Sequence, residues 1–173
     1  MNEQSVIEII TDLLRARYYG KYKGIVTEVE VGGRGRIKAK VPGVLHDQTS
    51  PWCDPCVPYA GPGLGFAFLP EVGSGVWIEF EEGDINHPIW SGCYWRDGEL
   101  PAEAAPAKKV LRTKAGHQIV IDDDGRSITI TDPSENTVTL DSSGITLKRG
   151  GSVVKLDDAK LDVNNSALEV ASS

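Results

Sequence analysis

The chain has 173 residues, 40% of them hydrophobic and 25% charged, the balance of a folded chain rather than a disordered one. A net charge of −7 lacks the basic density that phosphate binding needs, so nucleic acid is not expected as a partner, and anionic membrane surfaces are disfavoured by the same balance. No apolar run approaches the roughly 20 residues that span a bilayer, no basic-then-apolar leader opens the chain, so synthesis in a cytoplasm without a signal peptide is expected, and three cysteines speak against a disulfide framework.

Ser5 to Tyr19 predicts an amphipathic helix, with Ser5 as cap, Glu8 three residues on, and Val6, Ile9, Ile10, Leu13 and Leu14 as an apolar stripe. The stripe needs a partner: its own domain, a neighbouring copy or a different protein. Tyr22 to Val31 and Arg36 to Val41 predict strands joined by the turn Gly32 to Gly35. Gly43 to Pro51 reads as a loop, Trp52 to Pro58 as a short third strand, and Ala60 to Gly65 as a flexible connector.

The stretch Phe66 to Trp95 organises this half of the chain. Val76, Ile78 and Phe80 alternate with Trp77, Glu79 and Glu81, the period of a strand with one buried face. A turn at Glu82-Gly83-Asp84 leads to a second strand, Pro88 to Tyr94, with Ile89, Ser91 and Cys93 on one side and Trp90, Gly92 and Tyr94 on the other. Five short strands without helix alternation predict a small closed barrel of the OB type.

From Leu100 to Lys109 the composition shifts to Pro, Ala, Glu and Lys, a linker. Beyond it come Ile119 to Ile121, Ile128 to Ile130, Val138 to Leu140, Ile145 to Leu147, Val153 to Leu156, Leu161 to Val163 and Leu168 to Val170, an internal repeat of roughly eight residues. Each segment has apolar residues on one face and mostly Thr, Asp or Lys on the other. Strands this short cannot bury that face in one chain's meander, and their edges would remain open to pairing; winding identical chains around one axis would solve both problems. The residues expected on that axis are Ile119, Ile121, Ile128, Ile130, Val138, Leu140, Ile145 and Leu147.

Tyr22 to Thr27, Gly35 to Pro42, Trp52, Gly65 to Gly73 and Phe80 to Ile89, taken in order, resemble the central-spike proteins of contractile injection machines. That family includes phage baseplate assembly protein V, the tail-spike lysozymes of large phages and the spike part of VgrG proteins. Arg112 to Ile119, followed by an Asp-rich stretch, resembles the family's passage from barrel into spike, and the match covers roughly Tyr22 to Leu147.

The resemblance implies an all-β homotrimer: an N-terminal helix (1–20), a five-stranded OB-fold barrel (21–99), a linker (100–112) and a C-terminal trimeric triple-stranded β-helix (113–173). It also implies a structural spike, not an enzyme, on a phage or injection-particle baseplate. The spike is seated on a separate tail hub protein at its OB-fold end and meets a target membrane only during puncture of the envelope. The helix is far too short to be a fused hub domain. Relatives that hold a tip metal use a His-x-His motif, whereas the last histidine here is His117, so no metal is expected and a PAAR-type protein is the expected form of any tip cap.

Other chemistry is weaker. Cys53-Asp54-Pro55-Cys56 has metal-ligand spacing, with His46, His87 or Cys93 as further ligands, but a lone CxxC is weak and Cys93 fits a small core position. Glu79, Glu81, Glu82 and Asp84 contain the pair that a small envelope-degrading hydrolase of peptidoglycan or glycan would need, yet their alternation reads as a solvated strand face. Asp122-Asp123-Asp124-Gly125 reads as a turn rather than a calcium loop. An OB-fold ligand binder would need an exposed aromatic face such as Trp77, Trp90 and Tyr94. No catalytic residue and no cofactor is expected.

Overall fold

Apolar residues two apart lay down nearly every element of this chain. The computed structural model describes residues 3–15 and 17–171, with side chains for 4–11 and 17–170. It divides into two compact units, Met1–Glu99 and Leu100–Ser173.

The first unit contains helix α1 (Glu3–Arg15), strands β1 (Tyr22–Val29) and β2 (Ile37–Lys40), helix α2 (Pro42–Leu45), and strands β3 (Asp54–Pro55), β4 (Ala60–Gly61), β5 (Leu64–Gly65) and β6 (Gly75–Phe80). A 3-10 turn at Glu81–Gly83 and strand β7 (Pro88–Tyr94) complete it. Five strands form one sheet in the order β2-β1-β6-β7-β3. Its edges meet where Ile37 and Cys53 exchange backbone bonds of 2.7 and 3.3 Å, so the sheet curls into a barrel. Val26, Ile37, Ala39, Val76, Ile78 and Phe80 fill the interior. Burial of each larger side chain among them is worth about 1.5–3 kcal/mol.

Several expectations shift. Ser5 lies inside α1 rather than capping it, because the helix already includes Glu3. The helix also stops short of Tyr19: the Tyr18 N–H is taken by the Gly83 carbonyl at 2.9 Å, and the Tyr18 ring packs with Tyr22 and Phe80. Val6, Ile9 and Ile10 are exposed, while the side chains of Leu13 and Leu14 lie outside those described. Within the expected loop, Val44 is buried by α2, with Pro42 in the helix's first turn, where its missing N–H costs nothing. The connector is a small hairpin, β4 pairing with β5, in which Gly65 is required: at φ +147° a Cβ would sit 2.7 Å from the Tyr59 carbonyl.

The alternation expected of Pro88 to Tyr94 breaks at a bulge. Ser91 and Gly92 together oppose Trp77, since Ile78 pairs with Trp90 and Val76 with Cys93. Trp90 is therefore buried opposite Ile78 while the Tyr94 ring lies against Trp77, 5.3 Å away, on the other side of the sheet. Cys93 is not the core cysteine: β7 bends at the bulge and ends at Tyr94, leaving Cys93 exposed, and the fully buried cysteine is Cys53.

The second unit is a meander of β8 (Lys108–Arg112), β9 (Gln118–Asp122), β10 (Ser127–Thr131), β11 (Thr137–Asp141), β12 (Gly144–Arg149), β13 (Ser152–Leu156), β14 (Lys160–Val163) and β15 (Leu168–Ala171). All eight pair antiparallel with their sequence neighbours in one sheet. The backbone edges that the repeat was expected to offer to partner chains are thus satisfied internally, except on β8 and β15. The seven repeat segments read from the sequence are β9 to β15. β8 falls within the segment 100–112 expected as linker, and the residues before it are tied to this sheet by the Asp123 N–H to Ala107 carbonyl bond (2.9 Å) and the Glu103–Arg112 ion pair (2.7 Å).

Candidate functional site

The C-terminal sheet sorts its side chains by chemistry. Strand register aligns Leu111, Ile119, Ile130, Val138, Leu147, Val154, Val163 and Leu168 as one unbroken column across β8 to β15. A second column on the same face runs through Lys109, Ile121, Ile128, Leu140, Ile145, Leu156, Leu161 and Val170, so Lys109 is its one charged member. The opposite face carries Val110, Val120, Thr129, Thr139, Thr146, Lys155, Asp162 and Glu169 in its central row.

All the residues expected on an axis share this apolar face. Ile119, Ile130, Val138 and Leu147 belong to the first column, and Ile121, Ile128, Leu140 and Ile145 to the second. That selection missed Leu111 and the members from β13 to β15, although the same period-two signal marks them. Burial is inverted relative to a normal sheet: Ile119 is 37% and Leu147 47% exposed, while Thr129 and Thr131 opposite are half-buried. Continuous apolar surface of this kind marks an interaction face.

Turns fix the register of the columns. Asp132 accepts N–H bonds from Ser134 and Asn136, each 2.9 Å, and one from the Asn136 side-chain amide at 2.7 Å. Asp122, Asp141, Asp157 and Asp162 each accept a backbone N–H from their own turns in the same way. The Asp122 to Gly125 segment is therefore a turn, with Asp122 also 3.1 Å from Lys108 and Asp123 2.5 Å from Lys109. At the β11 to β12 turn, Gly144 (φ +122°) lies against the Leu156 carbonyl, which an added Cβ would approach to 2.0 Å.

The other candidate groups are not assembled into sites. Among the described residues, no group of three or more His, Cys, Asp or Glu side chains is placed to hold a metal ion. Cys53 is in the barrel core beside the Ser50 hydroxyl, and burial pushes its thiol up from the ordinary range, whereas Cys56 is exposed. His46 adopts a left-handed backbone after α2, and His87 lies 3.5 Å from Asp84. Glu79 pairs with Lys21 at 2.5 Å on the outer face, and Glu81 and Glu82 belong to the 3-10 turn. The backbone N–H of Asn86 holds Asp84 below its usual value, the opposite of a glycosidase proton donor. Trp90 donates to the Gly35 carbonyl at 3.1 Å from within the core, which splits the aromatic trio. Trp77 and Tyr94 instead hold the Lys23 ammonium, 5.9 and 5.2 Å from their ring centres.

Comparison with known proteins divides the chain in nearly the same place. Residues 22–95 match the profile of the type VI secretion system/phage-baseplate injector OB domain. Residues 108–169 match the phage baseplate V C-terminal trimerisation domain, which begins at β8. The chain is similar to three type VI secretion system spike proteins of Pseudomonas aeruginosa. It is 30% identical to VgrG4b over 102 residues, 51% of this chain and 13% of that protein. It is 30% identical over 90 residues to VgrG2a and to VgrG2b, 50% of this chain in each case and 11% and 9% of those proteins. The chain thus spans only a small part of the length of these relatives.

Proposed function

Because this chain belongs to the phage baseplate V family of contractile-system spike proteins, with an injector OB domain followed by a trimerisation domain, we propose that it is the central spike of a contractile tail or injection tube. Three copies place their apolar columns around a common axis, each chain contributing its own antiparallel sheet to a trimeric spike. The barrel unit seats on a separate hub protein, and the C-terminal unit, bare or carrying a PAAR-type cap, pierces the target envelope when the sheath contracts. The protein acts mechanically and carries no catalytic site.

The paired apolar columns are the observation that supports this reading. Their side chains are already partly covered by neighbours, so burying the remainder contributes on the order of 1 kcal/mol per residue. Repetition along the sheet and across three copies makes the sum large, which suits a part that must transmit force. Purification of the parent particle tests the proposal: sheath, tube and hub proteins alongside this chain are expected, and their absence would overturn it. Purified protein is also expected to leave peptidoglycan intact. Turnover that disappears in Glu79→Gln or Glu81→Gln would replace the mechanical reading with the hydrolase one.

A further inference from the structure

We propose that helix α1 of each protomer seats in a groove beside the β4–β5 hairpin of the next protomer, linking the N-terminal units of three copies into a ring; this rests on the trimeric reading above. The groove, about 530 Å³, is lined by Val57, Tyr59, Leu64, Phe66 and Leu69, with Arg34 as its charged member. Its apolar walls face solvent, Tyr59 being 54% and Phe66 58% exposed. They are nevertheless held in place. The Phe66 N–H bonds the Tyr59 carbonyl at 2.9 Å, and the Phe66 ring stacks on Phe68 with centroids 6.3 Å apart.

Helix α1 also exposes apolar side chains among the described residues, Val6, Ile7, Ile9 and Ile10. Its C-terminal side is anchored, since Tyr18 bonds Gly83 at 2.9 Å and Arg17 Nη1 donates to the Glu82 carbonyl at 2.6 Å. Its length of 13 residues amounts to about 20 Å. A single chain holds both surfaces, and their described apolar residues face solvent.

Threefold assembly explains that pairing of features. A cyclic trimer is built from heterologous contacts, each joining two different patches, and here one patch is a groove and the other an amphipathic helix. Charge agrees: Glu8 is exposed on α1, and Arg34 at the groove is 70% exposed with Asp54 at 3.4 Å. Residues 96–107 are all that separate the matched OB and trimerisation domains, so trimerisation holds three barrels near one another at an effective concentration of roughly millimolar order.

The test uses the full chain with a benzophenone photocrosslinking residue in place of Ile9, assembled from a mixture of isotopically light and heavy copies. Cross-links from position 9 to residues 57–69 of a chain of the other isotope are expected, and Phe66→Asp should abolish them without changing the assembly mass. Cross-links confined to the same chain, to a second α1 or to an added hub protein would overturn the inference, as would none at all, when the trimer mass is intact. A monomeric mass would overturn the spike reading itself, so the two failures are distinguishable.

Discussion

Asp122, Asp132, Asp141, Asp157 and Asp162 repeat one device, a carboxylate that accepts hydrogen bonds from its own turn. Bonds from the Gly125 backbone, the Asn136 amide side chain, the Ser143 side chain, and the Ala159 and Ser166 backbones, in that order, hold these carboxyls below their ordinary value of 3.8. A folded-state pKa below the unfolded one contributes stability that is present above the ordinary carboxylate range and lost as pH falls through the folded value. The C-terminal unit should therefore melt at lower temperature as pH drops below about 4, and Asp132→Ala should reduce that dependence; an unchanged slope in thermal melts across this pH range would count against it. Gly144→Ala should lower the stability of the same unit by about 1–3 kcal/mol or more, because strained backbone and a clash with Leu156 coincide. Gly151→Ala, which meets no atom within 4 Å, should stay within about 0.5 kcal/mol in the same melts. In the barrel, fully buried Ile78 changed to Ala should cost about 2–5 kcal/mol, measured by denaturant unfolding.

Strand β10 offers the sharpest contrast at the level of an element. Ile130 lies between Ile119 and Val138 on the apolar face, and Thr129, one residue away, lies between Val120 and Thr139 on the other. Ile130→Asp would place three carboxylates in one dry layer of the assembly, while Thr129→Asp adds a charge to a half-buried polar face. Size-exclusion with light scattering should show loss of the trimer in the first variant and retention in the second. Retention in both would mean that the apolar columns do not face the axis. Lys109 extends the contrast, because β8 carries the column's one charge and holds it to Asp123 and to the Pro106 carbonyl, at the rim of the sheet.

For the whole molecule, the mass in solution at micromolar concentration should be three times the 18.7 kDa chain. A stable monomer with an intact β-sheet spectrum would refute the trimer. Salt should affect the assembly little, since the proposed interface is apolar and ion pairs of the C-terminal sheet such as Lys108–Asp122 and Lys160–Glu169 join strands of the same chain.

Period-two alternation is a local property, and it is the part of this protein that the sequence determined by itself. It placed β9 to β15, the buried face of β6 and every expected axis residue on a common face, because a pleated strand points alternate side chains the same way whatever lies beside it. Ordered motifs likewise carried the family. Tertiary structure decided what depends on bonds between distant residues. The Ile37–Cys53 exchange closed the barrel and drew Cys53 into its core, the bulge opposite Trp77 separated Trp90 from Tyr94, and the Gly83 carbonyl at Tyr18 ended α1 early. Pairing with β9 likewise turned the end of a Pro- and Lys-rich linker into strand β8. Each of these rests on a partner at least 16 residues away or on the opposite strand of a hairpin, and composition along the chain holds no record of which donor meets which acceptor.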